Sequence, residues 1–258
     1  MDTAVPHAVR LVKRHFALHD VPKEHGTRHA ITVMNHATLA LQWAKDPPSA
    51  GHAVAVRLAA LLHDVDDRKY FPAPDGDQKS LPHADAILRE VLVCREDADK
   101  VREYALAAIR LVSASGNGNT VPPEAAADPF LLYPRWADRL EAVGDMGVYR
   151  CWKYTLEKGR PLYCADTPTP RNADEAFALA TPGRFAAYQV TGKSKSMIDH
   201  YFDKLLCLFE PLAHHQNRYI AEKGAAGVAP LIAVCTATRP EGLEFCLDEI
   251  KARVKASP

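Results

Sequence analysis

Apolar residues return at intervals of three and four along most of the chain, the spacing that keeps them on one face of an α-helix. In VAVRLAALLHDV, Val54, Leu58, Leu61, Leu62 and Val65 fall at i, i+4, i+7, i+8 and i+11. RHAITVMNHATLALQWA sets Ile31, Met34, Thr38, Leu41 and Ala44 on a comparable stripe. Asp46-Pro47-Pro48 ends that stripe, because proline has no backbone N–H with which to continue a helix. Helical period continues through HADAILREVLV, ADKVREYALAAIRLV, RWADRLEAVGDMGVYRCWKYTLE, SMIDHYFDKLLCLF and GLEFCLDEIKARV. No stretch of four or more residues alternates cleanly between apolar and polar, so the pattern predicts an all-α fold.

The pattern lapses where glycine, proline, asparagine and aspartate cluster. PAPDGDQKSLP, SASGNGNTVPPE and GRPLYCADTPTPRN supply turn dihedrals and cannot continue helices. Residues 159–196 are the least regular and read either as a lid or as a long excursion. No internal repeat and no clean linker is visible, so a single domain is expected over residues 1–258.

Composition narrows the function classes. An apolar fraction of 47% with 25% charged residues is that of an ordinary soluble globular protein. Formal net charge is zero, which offers no basic surface for duplex nucleic acid. The six cysteines are scattered without a CxxC pair, which argues against a zinc ribbon or a disulfide scaffold and for a reducing compartment. MDTAVPHAVRLVKRHF has no apolar signal core, and GVAPLIAVCTA is only half of the ~20 residues a membrane span requires. A cytoplasmic protein with no membrane partner is expected; a homo-oligomer is left open.

Histidine carries the candidate chemistry. With twelve histidines, composition yields about one His-Asp dipeptide by chance, and the chain has two. His19-Asp20 precedes Val21-Pro22 at the end of a first helix, where an imidazole favours the exposed carbonyls. His63-Asp64 has companions: His29 opens the preceding helix and Asp138 lies in an amphipathic segment downstream. Two imidazoles and two carboxylates are a mixed donor set suited to Mn²⁺, Fe²⁺, Co²⁺, Zn²⁺ or Mg²⁺. Successive helical residues diverge by about 100°, so His63 and Asp64 can converge only where the helix ends, which suits Pro72 and the loop after it.

The order His29, His63-Asp64, Asp138 on successive helices resembles the HD-domain superfamily of metal-dependent phosphohydrolases. LAALLHDVDDRKYF, HADAIL, WADRLEAVGDMGVYR and SMIDHYFDKLL extend the likeness to its small stand-alone hydrolases, over about residues 25–210, leaving 211–258 as a C-terminal helical extension. The resemblance implies an HD-type helical bundle holding one divalent cation at His29, His63, Asp64 and Asp138. It also implies hydrolysis of a nucleotide or another small phosphate ester, at a pyrophosphate or a phosphomonoester bond. Asp67, four positions after His63, would orient or deprotonate the attacking water; the plainer alternative is a solvated carboxylate capping the next turn. Lys69 would offset phosphate charge or lie on the surface. His200 and Lys204, at i and i+4, would share a helix face over a phosphate, unless Asp199 and Lys204 pair structurally.

Other residues take plainer readings. Asp66 and Arg68 are expected to be structural or surface charges, and His25 and His36 helix-end or partly buried side chains. His83, the one histidine between Asp64 and Asp138, is assigned to substrate or to a group behind the ligands. Enzymes of this superfamily with two metals place more histidines in that interval, so a di-iron oxygenase is the weaker alternative. A metal-binding or ligand-sensing protein without turnover is a third. Asp138, beside Trp136 and Leu140, needs a cation or Arg139 to compensate it. TGKSKS has Ala187 where a phosphate loop needs glycine and no strand before it, so it is not such a loop.

Overall fold

The computed structural model describes residues 3–21, 26–68, 70–71 and 80–256, and among these every regular element is helical. Two compact units form, Met1–Ser113 with Thr120–Asp138, and Ala114–Asn119 with Arg139–Pro258. The first unit begins with α1 (Ala4–Leu18), α2 (Thr27–Gln42), α3 (Ala50–Leu62), α4 (Pro82–Leu92) and α5 (Ala98–Arg110). After α6 (Ala114–Asn117) of the second unit, α7 (Pro123–Ala127) and α8 (Tyr133–Leu140) complete it.

Helix α3 is the core of the first unit. Val54, Ala55, Val56, Leu58, Ala59, Ala60, Leu61 and Leu62 are all buried, and α1, α2 and α5 pack around them. A helix apolar on nearly every side has to sit inside its neighbours. Ser49 starts it, its side chain accepting a hydrogen bond from the His52 N–H at 3.3 Å. The buried stripe of α2 is rotated from the one the spacing predicts: it runs through His29, Ala30, Val33, Met34, Ala37, Ala40 and Leu41. Four of these are small alanines or valines that let α2 lie close to α3, and the rotation puts His29 on the core face.

Arg135 fixes α8. Its side chain is fully buried, with Nε donating to the Leu111 carbonyl at 2.6 Å and Nη1 to the Thr120 carbonyl at 2.7 Å. Leu111 is the C-cap of α5, so the guanidinium meets the negative end of a helix. Burial pulls its pKa down to about 10, which still leaves it charged at neutral pH.

The second unit continues with α9 (Gly144–Glu157), α10 (Ala173–Leu179), α11 (Pro182–Thr191) and α12 (Met197–His200). A π turn over Tyr201–Leu205 leads into α13 (Leu206–Ala213), followed by α14 (Arg218–Thr236) and α15 (Glu241–Ala256). The long amphipathic run from Arg135 to Glu157 is broken rather than continuous. Gly144 takes φ +74°, and a Cβ on Gly147 would stand 2.4 Å from the Ala142 carbonyl carbon. Only glycine permits both the reversal and the close approach. Residues 159–196, expected to be irregular, contain α10 and α11, each started by a side-chain cap from Asn172 and Thr181. TGKSKS is a helix stop and start: Gly192 closes α11 in the left-handed conformation and Ser196 caps α12.

GAAGVAPLIAVCTA is most of α14. A Cβ on Gly224 would lie 2.7 Å from Leu212 Cβ and 3.2 Å from its carbonyl carbon, so the glycine lets α14 touch α13. Among the described residues no helix is long and apolar enough to cross a membrane. We expect Gly224→Ala to destabilise the protein by about 1–3 kcal/mol, because the added methyl meets backbone that cannot retreat. Thermal denaturation followed by circular dichroism measures this, and an unchanged midpoint would contradict the close-packing account.

Candidate metal centre

Three elements of the first unit bring four side chains together. The first turn of α2 carries His29, the end of α3 delivers His63 as its C-cap and Asp64 in the turn beyond, and α8 carries Asp138. His29 Nε2 lies 3.7 Å from Asp64 Oδ2 and 3.3 Å from Asp138 Oδ1. His63 Nε2 lies 3.3 Å from Asp64 Oδ2 and 3.6 Å from Asp138 Oδ1. Each imidazole therefore faces both carboxylates. His29, His63 and Asp64 also offer ligand atoms all within 4.8 Å of one another, the one such group of three or more His, Cys, Asp or Glu among the described residues.

Hydrogen bonding selects the tautomer. His63 Nδ1 donates to the Ala60 carbonyl at 2.8 Å, which leaves the Nε2 lone pair toward the carboxylates when the ring is neutral. That Nε2 is buried and makes no hydrogen bond of good geometry among the described residues. A lone pair aimed at anions is an unfavourable arrangement unless a cation stands between them, so the donor set fits a divalent ion. The imidazole side chains are 3% and 2% exposed, while the carboxylates of Asp64 and Asp138 keep 23% and 30%. Water and a ligand can therefore approach from the carboxylate side.

Without a metal, a proton has to do the same work. Burial opposes charge on His63, yet the adjacent Asp64 and Asp138 outweigh it and hold its pKa well above 6.5. For Asp64, burial acts against ionisation but the adjacent His63, charged in the metal-free site, prevails, and its pKa falls below the ordinary carboxylate value. Asp138 is depressed likewise, the neighbouring His29 and His63 overcoming burial.

No known family model matches the chain. An uncharacterized protein of Acanthamoeba polyphaga mimivirus is 36% identical over 204 residues, which span 77% of this chain and 82% of that protein. Among solved structures, a protein from Lactobacillus plantarum superposes with a TM-score of 0.59 at 20% identity, over 100% of this chain and 99% of the other. An HD-superfamily hydrolase from Bacillus thuringiensis gives a TM-score of 0.56 at 16% identity, over 98% and 97% of the two chains. A protein from Listeria innocua gives 0.54 at 16% identity, over 99% and 97%. The chain belongs to the family of the mimivirus protein and has the HD-domain fold.

The remaining candidate residues of this HD-fold protein divide by unit. Asp67 is half-buried in the turn after Asp64; its carbonyl accepts the Tyr70 and Phe71 N–H groups at 2.9 and 2.8 Å. Lys69 and His25 lie outside the described residues. In the second unit, the Tyr188 ring meets both the His200 ring, at 5.1 Å, and Lys204 Nζ, at 5.5 Å, so the two residues do share a face. Asp199 pairs with Arg184 at 2.8 Å, and with Thr167 and Ser196 at 2.7 Å each, rather than with Lys204.

The structure chooses between the alternatives left open for Asp66. Asp66 is no surface charge: it is 8% exposed, and its carboxylate accepts the N–H groups of His83 and Ala84 at the start of α4, at 3.1 and 2.9 Å. A helix start with no cap of its own, at Leu81, draws one from another segment. The Arg139 guanidinium bonds the Asn119 side-chain oxygen at 2.9 Å and the Gly118 carbonyl, while His29 and His63 compensate Asp138. Arg135 escaped sequence reading altogether; an arginine on the apolar face of WADRL's helix was the available signal.

The pKa directions give a signed prediction for the metal-free protein. His63 is raised, so the stabilisation from its charge is complete below 6.5 and drains away as pH rises through the raised value. The carboxylates are depressed below 3.8, so their contribution is lost only in strong acid. Chelator-treated protein is therefore expected to lose thermal stability as pH climbs from 6.5, and added Mn²⁺ to restore it. Scanning calorimetry with and without Mn²⁺ checks this; a metal-free midpoint indifferent to pH in that range speaks against the charge assignment.

Proposed function

We propose that the chain is a metal-dependent phosphohydrolase whose substrate is a nucleotide or another small phosphate ester. One observation carries the reading: His29, His63, Asp64 and Asp138 converge with an imidazole lone pair facing two carboxylates. A divalent ion held by these four, of the Mn²⁺, Mg²⁺, Co²⁺, Fe²⁺ or Zn²⁺ class, supplies Lewis acidity toward phosphoryl oxygen and lowers the pKa of water. The HD-superfamily hydrolase of Bacillus thuringiensis, which shares the fold, supports hydrolysis as the reaction class.

The chain's own residues then divide the work. His29 and His63 are closed off from solvent and supply the two nitrogen donors. Asp64 and Asp138 face the open side, where a phosphate ester approaches. Asp67, on the same turn as Asp64, is the group that takes the proton from the attacking water. Lys69, His200 and Lys204 are assigned to the negative charge of the phosphate, which grows on its peripheral oxygens as the bond breaks. The lone convergent donor group among the described residues favours one ion over a di-iron pair.

The test is a panel of nucleoside mono- and triphosphates and simple phosphate esters, assayed for phosphate and pyrophosphate release with Mn²⁺, Mg²⁺ and Co²⁺. Asp64→Ala is expected to reduce release to background with its helical spectrum intact. Asp67→Asn is expected to keep metal affinity and lose about 10²–10⁴-fold in kcat. Full activity in Asp64→Ala sinks the proposal, and a wild type that binds metal yet hydrolyses nothing on the panel favours a sensing role.

A further inference from the structure

We propose that His15 and His83 form a clamp that positions Asp64 for the cation, an inference that rests on reading the His29–Asp138 cluster as a metal site. Asp64 sits in a turn whose backbone is closed by the Val65 N–H on the Leu62 carbonyl and the Asp67 N–H on the Asp64 carbonyl, and the two residues after it are each also held by an imidazole. His15, from α1, puts Nε2 2.9 Å from the Val65 carbonyl. A carbonyl can only accept, so that nitrogen carries the proton. His83, at the start of α4, puts Nδ1 2.7 Å from Asp66 Oδ1, and the carboxylate likewise makes it the donor.

The two clamping rings are themselves packed together. The His15 and His83 ring centroids are 4.7 Å apart, and Phe71 lies 4.7 Å from His15 in a stacked arrangement and 5.3 Å from His83. Burial is the chief influence on His15 and lowers its pKa, so the ring is neutral at pH 7 and has a single N–H to give. Asp66 finishes the link: its other oxygen takes the Ala84 N–H at 2.9 Å, so the carboxylate joins the metal-ligand turn to the first turn of α4. Val65 itself is fully buried, which prevents the turn from swinging outward. Every bond in the set acts on the residue next to a ligand or two beyond it, and none touches the ligand atoms. His15 and His83 are therefore positioning residues rather than catalytic ones.

Amide isosteres separate this role from simple packing. His15→Gln and His83→Asn keep an N–H near the position of the donating ring nitrogen, whereas His15→Asn and His83→Gln keep an amide but displace it. Titration calorimetry with Mn²⁺ on metal-free full-length protein is the readout, with the thermal midpoint as the control for folding. The clamp predicts near wild-type affinity for the first pair and affinity about 10–100-fold weaker for the second, the range for groups that orient metal ligands. His19→Ala removes a ring that packs on His15 and Phe71 but bonds neither Val65 nor Asp66, and is expected to leave affinity unchanged. Equal affinities in all four isosteres, or a loss in His19→Ala matching theirs, overturn the clamp. Failure of the wild type to bind Mn²⁺ overturns the metal-site reading instead.

Discussion

Two carboxylates that meet two imidazoles inside a folded chain cannot be left to themselves. With both rings neutral the site carries two negative charges against the His63 lone pair, and burial makes that expensive. Either a proton or a metal ion has to enter, and the raised pKa of His63 shows how strongly the protein asks for positive charge there. The first unit is built around that demand. The most apolar of that unit's long helices, α3, fills its core and ends one residue before His63, where the chain stops being regular and two adjacent side chains can converge.

Polar groups that would be costly alone hold the ligand-bearing elements in place. Arg135 is buried with backbone carbonyls as partners, and it ties α8, hence Asp138, to the end of α5. Asp66 is buried with backbone amides as partners and ties the Asp64 turn to α4. Both exploit helix ends, whose unpaired carbonyls and amides offset the burial of a charge. A hydrophobic substitute could fill either space, but it could not impose the same distances. The protein accepts a less favourable interior in exchange for defined geometry.

Much of this was legible in the sequence because it depends on local spacing. The α3 stripe, the helix end at His63-Asp64 and the proline stop after α2 are patterns within short windows, while His29 and Asp138 were joined to them by the family resemblance. What escaped reading depends on distant partners. Asp66 looks like one more charge in HDVDDRK, and its partner His83 is seventeen residues away. Arg135 bonds carbonyls in two separate segments, which no periodicity announces. The α2 stripe came out rotated because alanine is ambiguous between a buried and an exposed face, and four alanine or valine positions carry that contact. The contacts made through GAAGVAPLIAVCTA were not legible for a related reason: its glycines mark where other elements come close, and that information is not local.

The most direct measurement is anomalous diffraction from crystals soaked in Mn²⁺. The account predicts one strong peak within coordination distance, roughly 2.0–2.2 Å, of His29 Nε2, His63 Nε2, and a carboxylate oxygen each of Asp64 and Asp138. A map with no peak between these four side chains, or with the ion bound elsewhere, would contradict it.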